Sequence, residues 1–240
     1  MLECLTHFRL RALSSAAVLA VLTCITPTAW AAGRNSDYLE PLDKQMFSRF
    51  YDILLSYFGV TPFDCGRGIV ANSSSPEYSI SVFSKSQPGG STSYHATYIA
   101  ADSNLWEETN RGHDPQNARH IKIRRLDVEF PERTATVLRA VWHGMLITPY
   151  HAKARSVSVE GPVVLDGAVE LFSIERVNAP SVTGQLIVPV KFQGRRTDRL
   201  VMLTNLVADY CKAKAMDRPR IVKRIDHEAS LLLKSIKTKN

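Results

Sequence analysis

Imidazole and carboxylate groups come closest to a chemistry-bearing spacing between residues 113 and 151. His113, Asp114 and His120 stand near one another in a polar stretch, with His143 and His151 further along. These groups bind zinc, and they also move protons during hydrolysis. Their spacing matches no zinc motif, and Pro149 interrupts any helix that would place His143 and His151 on one face. The preferred reading is therefore solvated or structurally hydrogen-bonded histidines, with no metal site and no cofactor. His113, Asp114 and His120 are kept as the catalytic candidates of a second reading, an exported hydrolase with its site around the 102–120 connection.

Nucleophiles are no better placed. Ser73, Ser74, Ser75 and Ser91 lie in turn-rich text without the Gly-x-Ser-x-Gly elbow that would lift a serine onto a sharp strand-to-helix turn. Gly66-Arg67-Gly68 is too short for a phosphate loop. Tyr94 and Tyr98 alternate with small or polar residues, as packed strand tyrosines do. Trp106 stands in a polar connection and is harder to assign to a core.

Charge is more informative than catalytic motifs. The chain has 30 Lys or Arg against 23 Asp or Glu. From Lys191 onward the count is 13 against 5, so the basic character belongs to the C-terminal quarter. Arg218, Arg220, Lys223 and Arg224 concentrate it and are the candidate binding residues for an anionic envelope component or an acidic protein. Nucleic acid is not expected as a partner, because the leader described next points to export. The bland counterpart is a solvated helix face.

The first 31 residues read as a cleaved signal peptide. Arg9 and Arg11 precede the apolar run Ala16 to Ile25, and Ala29-Trp30-Ala31 offers small residues at the two positions a signal peptidase inspects. The apolar run is about half of what a spanning helix needs. Cys24 follows Thr23, where a lipoprotein signal would have a small residue, so cleavage after Ala31 is preferred to lipidation. These features predict a secreted or periplasmic protein with no transmembrane segment after cleavage. Cleavage would leave Cys65 and Cys211, and a pair of cysteines in an oxidising compartment predicts one disulfide worth about 4 to 5 kcal/mol.

The elements that must position these residues follow from periodicity. Residues 37–58 predict an amphipathic helix with Asp37, Glu40 and Pro41 at its start. Residues 66–76 predict a loop, and Tyr78 to Tyr98 a β-hairpin around Pro88-Gly89-Gly90. Residues 121–130 predict a strand bulged near Arg124-Arg125, followed by a helix from Pro131 through Met145. Asp166-Gly167 predicts a hairpin turn, and Leu186 to Val190 a short strand that Pro189 limits to an edge or an end. Two helices close the chain, the first capped near Thr197-Asp198 and the second by Asp217. The expected fold is a single α+β domain over residues 32–240. A mostly antiparallel sheet would carry the helices near 39–58 and 132–146 on one face, and residues 218–240 would form a basic C-terminal helix.

Overall fold

The computed structural model describes residues 39–41, 44–72, 75–109, 114–147, 169–176, 178–187 and 195–237. The elements run β1 (Glu40–Pro41), α1 (Lys44–Phe58), β2 (Gly66–Asn72), β3 (Ser75–Ser86), β4 (Thr92–Ala101), α2 (Leu105–Glu108), a 3-10 turn (Pro115–His120), β5 (Ile123–Glu129), α3 (Glu132–Ile147), β6 (Val169–Arg176), β7 (Ala179–Ile187), α4 (Arg196–Lys212) and α5 (Arg218–Lys237). The fold is α+β. Six strands of 7 to 12 residues and the two-residue β1 make one sheet in the order β1-β7-β6-β2-β3-β4-β5. Every neighbouring pair is antiparallel.

Strand alternation sorts the side chains onto two faces. Ile80, Val82, Ala96, Phe172 and Ile174 meet the apolar sides of α3, α4 and α5. Ile69, Ala71, Ile99 and Leu171 point the other way and meet Phe50, Ile53, Leu54 and Phe58 of α1. The helices near 39–58 and 132–146 therefore cover opposite faces, not one. Both faces of β2 and β6 are apolar and need a cover, and a helix's own periodicity does not say which face it takes.

Residues 66–72, expected as loop, form β2 at the centre of the sheet. The glycines that suggested a loop are there for packing. A Cβ on Gly66 would lie 2.6 Å from the Trp142 ring of α3, and one on Gly68 would lie 2.8 Å from Thr204 Cγ2 of α4. Their absence lets two helices approach the strand, and Trp142 Nε1 donates to Arg67 O at 3.1 Å.

Other boundaries also shift. Glu40 and Pro41 pair with Gln185 and Gly184 as β1, and α1 begins at Lys44, because a residue before proline favours extended backbone. β5 keeps continuous register with β4 from Ile123 to Glu129, without the expected bulge. The apparent phase slip arises because Ile121 precedes the strand and is buried in the cluster beneath α1, whereas Ile123 is 44% exposed. The β3–β4 hairpin and the helices α3, α4 and α5 form where periodicity places them. Asp37, the Asp166-Gly167 turn, Pro189 and the leader lie outside the described residues. Among the described residues, no helix is long and apolar enough to cross a membrane.

Candidate functional site

A dense array of like charge lies on α5. α5 is amphipathic: Ile225, Ala229, Leu232 and Ile236 are buried against the helical layer, with Ile221, Val222 and Leu233 packed beside them, and the opposite side of the helix faces outward. It carries six Lys or Arg and only two carboxylates. Both carboxylates are turned toward neighbouring helices. Asp226 Oδ1 accepts from Thr134 Oγ1 of α3 at 2.8 Å, and Glu228 Oε2 accepts from Arg199 Nη1 of α4 at 2.6 Å. Arg220, Lys223 and Arg224 are exposed and have no ion pair among the described residues. Local neutralisation therefore happens inside the bundle and leaves the outer face cationic.

Arg218, the fourth expected binding residue, is placed differently. It is half-buried, its guanidinium stands over the Tyr210 ring at 5.5 Å, and its Nε is buried without a partner. It braces the α4–α5 junction, and the other three residues present charge to solvent. The turn between the helices is short. Ala213 N donates to Asp209 O at 2.9 Å at the end of α4, and Arg220 N donates to Asp217 O at 3.2 Å at the start of α5. Met216 in this turn is 83% exposed. Sequence reading passed over it, although an apolar residue between Lys214 and Arg218 has no helical phase to assign it to a core.

Of the expected catalytic group, Asp114 and His120 fall among the described residues. Asp114 Oδ1 accepts from Gln116 N at 3.1 Å and so begins the 3-10 turn. His120 is exposed, with Nε2 3.6 Å from Glu108 Oε2. His113 and His151 lie outside the described residues, and His143 is exposed on α3. No group of three His, Cys, Asp or Glu within metal-binding reach occurs among the described residues. Trp106 has a structural explanation: its ring meets Phe50 of α1 edge-on at 4.9 Å. The buried Glu77 anchors that segment by accepting from Leu105 N at 2.6 Å and Trp106 N at 3.0 Å. Tyr94 and Tyr98 pack against the core on the face covered by α3, α4 and α5.

The predicted disulfide is absent. Cys65 and Cys211 are buried free thiols. Cys65 leads into β2, and its Sγ faces Asp64 Oδ2 at 3.7 Å. Cys211 lies in α4 among the charges of Arg218, Asp127 of β5 and Lys212. Burial pushes both thiols up to about 12, so they behave as small core residues.

A second polar array crosses the sheet face beneath α1. Thr183, Ser173, Arg67, Ser81, Thr97 and Asp127 stand in one transverse row from β7 to β5. Arg67, 4% exposed, donates to Gly59 O at 3.1 Å and to Thr61 O, and its guanidinium stacks on Phe63 at 3.7 Å. Burial pulls Arg67 down to about 10. These contacts tie the chain after α1 to the sheet, which assigns Arg67 a structural part. Nearby, Ser93 Oγ and His95 Nε2 lie 3.0 Å apart, but Ser93 Oγ also meets Gln87 Nε2 at 2.7 Å and Lys85 O at 3.4 Å.

No protein-family model, no curated protein and no solved structure matches this chain.

Proposed function

We propose that this chain is an exported accessory protein of a bacterial envelope that acts by binding, and that the outward face of α5 attracts an anionic partner. One observation carries the reading: both acidic residues of α5 are held by Thr134 and Arg199, while Arg220, Lys223 and Arg224 stay exposed. A solvated helix face usually alternates charges of both signs. Here Asp226 and Glu228 point inward and Arg220, Lys223 and Arg224 outward, so the surface potential of these three bases adds in one direction. The leader, with Arg9 and Arg11 before the run Ala16 to Ile25, supports export to a periplasmic or extracellular compartment.

The test is affinity for a polyanion of simple chemistry. Fluorescence anisotropy with long-chain polyphosphate should show binding that weakens as salt rises, and the Arg220→Gln/Lys223→Gln/Arg224→Gln variant should bind at least tenfold more weakly. Equal binding by the variant would overturn the reading.

A further inference from the structure

We infer that the anionic partner is a lipid bilayer surface, met end-on by the α4–α5 turn with Met216 entering the headgroup region; this rests on the cationic-face reading above. Met216 is the most exposed large apolar side chain among the described residues, at 83%. It stands at the tip of the connection from Lys212 to Arg218, flanked by exposed Lys214 and followed by Arg220, Lys223 and Arg224 within the first two turns of α5. The rise of a helix puts all three within about 9 Å of the start of α5 along its axis.

The pairing of an apolar tip with a cationic collar distinguishes between partners. A soluble polyanion or an acidic protein surface would satisfy the arginines and lysines but gives no reason for an unpacked thioether in their midst. An anionic bilayer offers both parts: phosphate charge for the collar, and an apolar boundary just below it for the tip. Met suits that position, because its unbranched, polarisable side chain adapts to an irregular environment. Asp217 is the one acid of the turn, against Lys214, Arg218, Arg220, Lys223 and Arg224. Lys212 is already engaged, 3.1 Å from Asp209 Oδ1 and 5.4 Å over the Tyr98 ring. The turn is held on both sides by packed helices, so the tip is presented rather than free to fold back: Leu203, Leu206, Val207, Ile225 and Ala229 are all buried.

The test uses the full chain with its leader removed by natural processing and two kinds of vesicle, neutral phosphatidylcholine and the same lipid with phosphatidylglycerol. Polyphosphate serves as the soluble probe. Co-sedimentation should retain the protein on the anionic vesicles only. Met216→Ser keeps every charge and removes the apolar tip; it should lose about tenfold in vesicle partition and nothing in polyphosphate affinity. Each neutralised residue among Arg220, Lys223 and Arg224 should cost about fivefold on vesicles. Binding to polyphosphate without binding to anionic vesicles would overturn the inference and leave the cationic-face reading standing, as would a Met216→Ser variant that partitions like wild type. Indifference of both probes to the charge variants would overturn both. Because Met216 is exposed, an unchanged thermal melt of the Met216→Ser variant separates lost binding from lost folding.

Discussion

Arg199 Nη1 of α4 donates to Glu228 Oε2 of α5 at 2.6 Å, and this pair is what keeps the second carboxylate of α5 away from the exposed face. Both side chains are largely shielded from water, so the pair is coupled more strongly than a surface ion pair. Arg199→Met should lower stability by about 1 kcal/mol in urea unfolding. It should also weaken polyphosphate binding, because Glu228 is then free to neutralise its own helix. Unchanged binding would show that the inward acids do not shape the outer potential.

The approach of α3 to β2 depends on the missing side chain at Gly66. A Cβ there meets the Trp142 ring at 2.6 Å, and the backbone φ of +128° disfavours any L side chain. Gly66→Ala should destabilise by about 3 kcal/mol, read as a lower urea midpoint. Gly68→Ala meets Thr204 Cγ2 at 2.8 Å instead, and a Gly68→Ala/Thr204→Ser double variant should recover part of the loss. Additive effects at Gly68 and Thr204 would contradict the contact.

Glu170 gives the fold a pH dependence of definite sign. It is 3% exposed on the sheet face covered by α3, α4 and α5, its Oε2 has no hydrogen-bond partner, and burial pushes it up from 4.5 to about 8. Between those values the folded chain keeps a proton that the unfolded chain releases. Glu170 therefore makes stability fall as pH rises from about 4.5 to about 8, by on the order of 1.4 kcal/mol per pH unit in the steep part, and this contribution levels off above that range. Glu170→Gln should flatten this part of the curve and be more stable than wild type at pH 8. A Gln variant with the wild-type pH slope would contradict the assignment.

The thiols provide a covalent check. Cys65 and Cys211 are buried and free, and both are pushed up to about 12, so little thiolate exists in the folded chain at pH 8. Iodoacetamide should leave both unlabelled in native protein and label both after denaturation without reductant, as read by peptide mass. Failure to label either after denaturation would restore the disulfide.

Much of the helical framework was legible from residue order. Val137, Leu138, Val141, Trp142 and Met145 announced α3, and the same logic located α4 and α5. β2 was not legible because Gly66 and Gly68 carry turn chemistry in sequence, and their actual reason lies in Trp142 and Thr204, far along the chain. The opposite placement of α1 and α3 was hidden for a related cause: amphipathicity says that a helix has an inner side but not which layer supplies the other half. For the site, the basic count of α5 was visible at once. The inward turn of Asp226 and Glu228, and of Arg218 onto Tyr210, depends on contacts with α3 and α4 that composition does not record.

The most direct measurement compares two sets of exposed cations on the same chain. Lys122 and Arg124 lie by the edge strand β5, where exposed charge also discourages edge-to-edge pairing. Polyphosphate affinity should fall at least tenfold for Arg220→Gln/Lys223→Gln/Arg224→Gln and less than twofold for Lys122→Gln/Arg124→Gln, with the salt dependence reduced only in the first. Equal losses in the two variants would mean that general basicity, and not the face of α5, holds the anion, and the central claim would fail.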